Sequence, residues 1–563
     1  MKKIDTIVLI LVILSSLNAL STGKTSFSSA ARAEILDTLT VIQRPLLNIP
    51  AIVIPGENLT IECVAPIGTT GWTAQLRKGE HTVPMTITNS TYISSPGKWI
   101  ITAIVPSVPV FELYDLYVTA SGGISDRTMH SVKVLPSRKT NYYFVQITDT
   151  HLPSPIFSPN TGYDTDSTDT IDLREVIRDV NIIRPEFVII TGDLINEGEL
   201  EDYQNLHYVA KAKRILAEFD VPVYLTSGNH DLGGWDSTPP PDGTARFNWW
   251  KYFGWSWLSN PSTSWPYHTQ DYSFDYGTTH YSCLESYINY DDYNTAVYGT
   301  ESFTATQLQW LQIDLASSSA ATKVIFQHYD NTNQLNLTTL GVQMMLYGHI
   351  HYNSGSLTST PYKLALDNCS AGGRAYRVVR NSGGTLTPYA TIYAGADGSK
   401  ISISYSPGNT GVADSLRATL VNQQTLAFEN AIVKFIMPAG ETEYSVQNGT
   451  IEQVDRGTSF NTVYVNVDLA ASSTKNVSLW ANGVGKPEQM AITVNHTNGN
   501  AVISWQAGWG APAGYKVYRS TMYDFTPSPS SLLATCPASQ TSYTDVGVGI
   551  MNDLYYYRVI AYK

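Results

Sequence analysis

Cysteine and charge are both scarce in this chain. Four cysteines stand among 563 residues, Cys63, Cys283, Cys369 and Cys536, with no framework spacing, which excludes a fold built on disulfides. A single bridge between Cys283 and Cys369 stays open, beside the alternative that each is a small buried hydrophobe. Charged residues make up only 15% against 43% hydrophobic, which excludes a disordered polymer and implies a globular one. The net charge is -13 and no Lys/Arg cluster occurs, which excludes a nucleic-acid-binding patch. Beyond the N-terminus no run is long and apolar enough to cross a bilayer.

The N-terminus itself reads as an export signal over residues 1–23. Lys2 and Lys3 give a basic start, residues 7–14 are unbroken apolar, and Ala19, Ser21 and Gly23 are small. An uncleaved anchor is the alternative, but residues 4–20 are short for a span and include Asp5. The expected location is therefore secreted or cell surface. Seven Asn-x-Ser/Thr sequons, at Asn58, Asn89, Asn336, Asn368, Asn448, Asn476 and Asn495, fit a glycoprotein.

At 563 residues the chain needs several cores. After a lead-in over 24–45, residues 46–139 show short period-2 runs such as 59–63 and 99–105, broken by Gly, Pro and Asn, the pattern of a β-sandwich. From 140 to 389 apolar strands alternate with helical segments, the pattern of an α/β layer architecture. Strands are expected at 142–148, 187–190, 221–226, 323–326 and 342–346, with helices at 171–183 and 200–219. Thr304 and Gln307 mark a capping box opening another helix. Residues 390–485 read as a second all-β sandwich. Residues 486–563 read as a third, whose strands at 501–505, 515–519 and 555–559 resemble a fibronectin type III module with Tyr555 as its tyrosine corner.

Eleven histidines occur, eight of them within 141–389. Five apolar strands there end in a polar group: Asp149-Thr150-His151, Gly192-Asp193, Gly228-Asn229-His230-Asp231, His328, and Gly348-His349-Ile350-His351. In an open α/β sheet the strand ends along one edge converge on the ligand crevice. Asp149, His151, Asp193, Asn229, His328, His349 and His351 are seven N/O donors, too many for one ion and suited to two that share a carboxylate. Imidazole and carboxylate without thiolate suit Mn, Fe or Zn. Gly192, Gly228 and Gly348 each precede a ligand, where a sharp backbone turn is expected. Any one motif alone reads as a turn or an ordinary polar residue; the ordered set after strands does not.

This ordered set resembles the calcineurin-like metallophosphoesterase superfamily over residues 141–389. The resemblance implies a four-layer core, a β-sandwich flanked by helices. It implies that Asp149, His151 and His351 hold one metal, Asn229, His328 and His349 a second, with Asp193 bridging. His230 would contact phosphate and protonate the leaving oxygen, oriented by Asp231, and the nucleophile would be a metal-bound hydroxide. Purple acid phosphatases carry a metal-binding tyrosine shortly after Gly-Asp, where Asn196 stands here, so a tyrosinate-iron colour is not expected. Ser/Thr protein phosphatases carry arginines where Glu197 and Leu232 stand, which disfavours a phosphoprotein substrate.

Residues 248–281 are aromatic-rich, including Trp249, Trp250, Tyr252, Phe253, Trp255, Trp257, Trp265, Tyr267, Tyr272, Phe274 and Tyr276. They read as an insertion burying its own core, with a base- or sugar-stacking lid as the alternative. Residues 154–169 read as a solvated loop beside His151. The expected activity is hydrolysis of a small-molecule or surface phosphate ester, mono- or diester. The competing expectation is a non-catalytic adhesion protein, associated with the cell surface through its β-domains or an uncleaved N-terminal segment.

Overall fold

The computed structural model describes residues 40–562, apart from 153–156, 159–161, 164–167, 197–201, 233–247, 255–269, 286–302 and several shorter stretches. The export signal, most of the lead-in, much of the loop 154–169, Thr304, Glu197, Trp255, Trp257, Trp265 and Tyr267 lie outside the described residues. No described helix is long and apolar enough to cross a membrane.

The first structured unit is an eight-stranded sheet that bends on the long strand His81–Ile93. Its first half pairs with Thr73–Lys78 and its second half with Lys98–Ile104, so one strand serves both halves. The structure begins earlier than the expected boundary at 46. Ile42–Arg44 is already a strand on Asn58–Cys63, and the Asp126 carboxylate accepts the Val41 and Ile42 amides at 2.8 and 2.7 Å.

The central region holds two sheets facing one another. One is ordered Val223–Thr226, Val188–Thr191, Asn141–Ile147, Ala375–Ser382, Thr385–Pro388; the other runs Tyr272–Tyr276, Thr279–Cys283, Thr322–Phe326, Met344–Tyr347, Tyr362–Ala365. The ligand-bearing strands are thus divided between two sheets, not carried on one open sheet. They are parallel within each sheet, so their C-terminal ends still share one edge. Ile392–Tyr393 pairs with Ala375 and Tyr376, extending the first sheet past the expected boundary at 389.

Alternation divides the side chains between two cores. Val324 and Phe326 join the core between the sheets, while Ile325 faces the other way and packs with Leu311 and Leu315 of the helix Ala305–Ser317. Gln307 of that helix buries its amide against the Asp271 carboxylate and the Glu285 carbonyl. The helix Thr168–Ile183 buries Leu173, Val176, Ile177, Val180 and Ile183, one apolar stripe at helical spacing. It ends at Arg184, left-handed at φ 53°, because Pro185 follows and disfavours a further turn.

Residues 401–481 form a four-stranded and a three-stranded sheet. They do not keep a private core: one apolar cluster runs from Tyr142 through Leu416, Phe435 and Leu479, while Ile432 and Tyr464 join the core of the N-terminal sheet. Residues 488–562 form two three-stranded sheets around Trp505 and Tyr515. There the Tyr555 hydroxyl donates to the Asp553 carboxylate at 3.2 Å, and the last strand is Tyr556–Tyr562.

Candidate metal centre

The strand ends are laced together by their backbones before any side chain is considered. The amides of Asp149, His151 and Leu152 donate to the carbonyls of Gly192, Asp193 and Leu194 at 3.1, 3.0 and 2.7 Å. Gly348 donates to the His328 carbonyl at 3.0 Å, which ties the two turns of the second sheet. The turns are strained: Asp149, His151, Asp193, His349 and His351 all have φ between 44° and 69°, a region non-glycine residues avoid.

These turns aim seven donors at one place. His351 Nε2 lies 3.2 Å from Asp149 Oδ1 and 3.2 Å from His151 Nε2. His151 Nε2 is 3.9 Å from both Asp149 Oδ1 and Asp193 Oδ2. On the other side His328 Nε2 is 3.1 Å from Asp193 Oδ2 and 3.1 Å from Asn229 Oδ1, which is 3.0 Å from His349 Nδ1. Two groups result, one of Asp149, His151, Asp193 and His351, the other of Asp193, His328 and His349, each with its donor atoms within 4.8 Å of one another. Asp193 belongs to both.

The donor set fits a cation. Ligands at the usual metal–nitrogen distance of ~2.0–2.1 Å stand roughly 3.0–3.4 Å from their neighbours around the ion, the spacing seen here. His151 Nε2 and His351 Nε2 face each other at 3.2 Å, while the buried His151 Nδ1 has no hydrogen-bond partner.

The electrostatics agree. Burial pushes His151 and His349 down to about 4, so both rings are neutral near neutral pH. Burial would raise Asp193, but His328, His230 and His151 hold it well below the carboxylate range. Burial would likewise depress His328, but Asp193 overrides it and lifts the ring to about 9. His328 Nδ1 donates to the Thr191 carbonyl at 2.7 Å, which fixes the ring's orientation and turns Nε2 toward the donors.

Residues 142–353 match the family model described as calcineurin-like phosphoesterase. No curated protein matches the chain. A purple acid phosphatase from yellow lupin (Lupinus luteus) seeds superposes with a TM-score of 0.32 at 11% identity, over 65% of this chain and 70% of that one. Amylomaltase from Corynebacterium glutamicum superposes with a TM-score of 0.13 at 15% identity, over 26% of this chain and 21% of that one. Neither superposition is close enough to bear on function.

Within residues 142–353 two expectations need correction. Asp231 does not orient His230 through its carboxylate. That carboxylate accepts the amides of Gly228, Ile195 and Leu194 at 2.8, 2.9 and 3.2 Å and so staples two ligand turns together. His230 Nδ1 bonds the Asn196 carbonyl instead, while its backbone amide donates to Asp193 Oδ1 at 3.0 Å. The three glycines are not all turn formers. Gly192 has φ +90°, but at Gly228 and Gly348 the constraint is space: a Cβ would lie 2.2 Å from Asp193 Oδ1 and 1.9 Å from Thr148 Oγ1.

Cys283 and Cys369 are buried free thiols, so the bridge between them is absent. Trp249, Trp250, Tyr252, Phe253, Tyr272 and Tyr276 lie in the main core, and Phe274 stacks on Tyr224 with ring centroids 3.6 Å apart. Two supporting residues escaped sequence reasoning. Thr148 sets its hydroxyl between Asp149 Oδ2, at 2.8 Å, and the Thr191 carbonyl, at 3.2 Å. Tyr329 packs edge-on to His349 with centroids 4.9 Å apart. Adjacency to Asp149 and His328 was the available signal for both.

Proposed function

We propose that the chain is an exported, dinuclear-metal phosphoesterase acting on phosphomonoesters or phosphodiesters. The observation that carries the reading is the pair of donor groups sharing the single carboxylate of Asp193. Asp149, His151 and His351 would hold one divalent or trivalent ion and Asn229, His328 and His349 the other, with Asp193 between them. Such ions supply Lewis acidity and an activated water when bound. His230 sits with its ring edge-on to His151, centroids 4.7 Å apart. Its Nδ1 bonds the Asn196 carbonyl, and the ring would contact a phosphate oxygen and hand a proton to the departing alcohol. Asp231 acts through the backbone, holding the Asp193 and Asn229 turns in register.

Export rests on the N-terminal pattern and on the sequons, of which Asn58, Asn89, Asn336, Asn448, Asn476 and Asn495 are exposed. Asn368 is half-buried and spends its amide on the Ser370 carbonyl at 2.9 Å, which makes it a poor glycan acceptor.

Hydrolysis of p-nitrophenyl phosphate and bis-p-nitrophenyl phosphate, with metal content measured on the same preparation, tests the reading. Asp193→Asn is expected to lose activity by more than the ~10–100-fold that outer partners cost. His230→Ala is expected to lose about 10²–10⁴-fold with metal content intact. A purified protein without metal, inactive on both esters when Mn2+ is added, would favour the adhesion reading. Full activity in Asp193→Asn would refute the bridge.

A further inference from the structure

Arg377 is a buried arginine whose hydrogen-bond partners among the described residues include no carboxylate. It is 2% exposed, in the strand Ala375–Ser382, and no carboxylate among the described residues pairs with it. A buried guanidinium normally takes an acidic partner, because desolvation of an unpaired charge is costly. Its partners here are neutral: Gln146 Oε1 at 3.1 Å, the Ala365 carbonyl at 2.9 Å and Asn353 Oδ1 at 3.4 Å.

The placement explains the tolerance. Arg377 stands directly across the antiparallel pair from Gln146, and both side chains enter the space between the sheets. Gln146, fully buried, donates to the Tyr347 carbonyl at 3.0 Å. Tyr347 ends the strand that leads into Gly348-His349-Ile350-His351, and Asn353 follows two residues after His351. Asn353 is anchored in turn: its amide donates to the Tyr393 hydroxyl at 3.1 Å, which donates to Asp367 at 3.0 Å. One polar pair from the first sheet therefore grips both ends of the strained segment that carries two donors of the second.

We propose that Arg377, acting with Gln146, is a positioning residue that holds His349 and His351 in the geometry needed to take a metal ion. The proposal rests on the metal-dependent reading above. An apolar residue at 377 would relieve the burial of an unpaired guanidinium but leave the Gln146 and Ala365 acceptors without that donor, so the two effects on stability oppose each other. Its cost would fall on the ligand segment.

The test compares full-length wild type, Arg377→Met and Arg377→Lys by Mn2+ titration calorimetry, bis-p-nitrophenyl phosphate hydrolysis across a Mn2+ series, and thermal melting of the metal-free proteins. Arg377→Met is expected to raise the Mn2+ Kd about 10–100-fold, to lose activity at limiting Mn2+, and to recover it as Mn2+ is raised. Its metal-free melting temperature should stay close to that of wild type, so that the loss of affinity exceeds what any loss of stability explains. Arg377→Lys, which reaches one acceptor but not a fork of them, should fall between. If Arg377→Met does not fold, Arg377→Lys carries the test alone. A folded variant with wild-type Mn2+ affinity, or one whose affinity falls only in step with its melting temperature, overturns the proposal and leaves the phosphoesterase reading standing. A wild type that neither binds Mn2+ nor hydrolyses the ester sinks both.

Discussion

Two clusters of histidine and aspartate lie in the same domain, and only one is open to a cation. At His328 one ring nitrogen is bonded to a carbonyl and the other faces Asp193 and Asn229, beside two further rings kept neutral by burial. At His280 both nitrogens are taken by carboxylates, Nδ1 by Asp275 at 2.8 Å and Nε2 by Asp314 at 2.9 Å. Asp314 is itself filled by the Ser273 and Ser282 hydroxyls at 2.6 and 2.7 Å. Both histidines are lifted to about 9 by an aspartate, so charge alone does not separate them. What separates them is the company each keeps: His328 stands with two neutral rings and a carboxylate shared by two donor groups, on turns whose backbone is strained. His280 sits in the regular strand Thr279–Cys283, whereas five of the seven converging donors are left-handed. His280 ties a hairpin to a helix; His328 joins the donor groups where the two sheets meet.

The sharpest way to break this contrast is to disturb the open cluster without touching a donor. Gly348→Ala would set a methyl 1.9 Å from Thr148 Oγ1 and 2.5 Å from Asp149 Oδ2. Thr148 is short and packed, so Asp149 must move. Misplacement of about 1 Å costs on the order of 10²-fold in rate, and hydrolysis assays at saturating Mn2+ should show at least that loss. An equally active Gly348→Ala would mean that Asp149 is not held where the chemistry occurs.

The seven donors were legible because each follows an apolar strand within three or four residues. Chain-local pattern carries that information. The partition of those strands between two sheets was not legible, because Ala375–Ser382, the antiparallel neighbour of Asn141–Ile147, lies more than two hundred residues away. Positive φ at Asp149 or His351 leaves no mark in residue type, unlike the same conformation at Gly192. His280 and His328 are alike as letters, each within an apolar strand or at its end; only the three-dimensional neighbours tell the ring held between two carboxylates from the ring that stands among further donors. Asp231 misled for the same reason, since a carboxylate beside a histidine suggests a pair, yet backbone amides across two turns capture it first.

The closed cluster should answer to stability and not to rate. His280→Gln leaves Asp314 and Asp275 without their shared cation. Breaking a buried pair costs ~3–5 kcal/mol, but Asp275 is 66% exposed, so screening reduces the expected loss to about 1–3 kcal/mol. Urea unfolding of the full-length protein should show this, while activity per folded molecule stays at the wild-type level. A fall in Mn2+ affinity would join the two clusters and dissolve the comparison.

The smallest expected effect is the pH dependence of that same difference. His280 carries a folded-state pKa of about 9, set against burial by the hydrogen bonds of Asp275 and Asp314, where an unfolded histidine lies near ~6.5. The folded state therefore binds the proton more tightly, and the stabilisation is fully present below about pH 6.5. It fades as the pH rises through about 9, where folded and unfolded rings are both neutral. The stability gap between wild type and His280→Gln should accordingly be widest near pH 6 and narrow by about 1–2 kcal/mol toward pH 10. A gap that widened with pH would mean the ring is neutral in the fold. Asp275 and Asp314 would then be held by something other than charge, and the closed cluster would differ from the open one in kind.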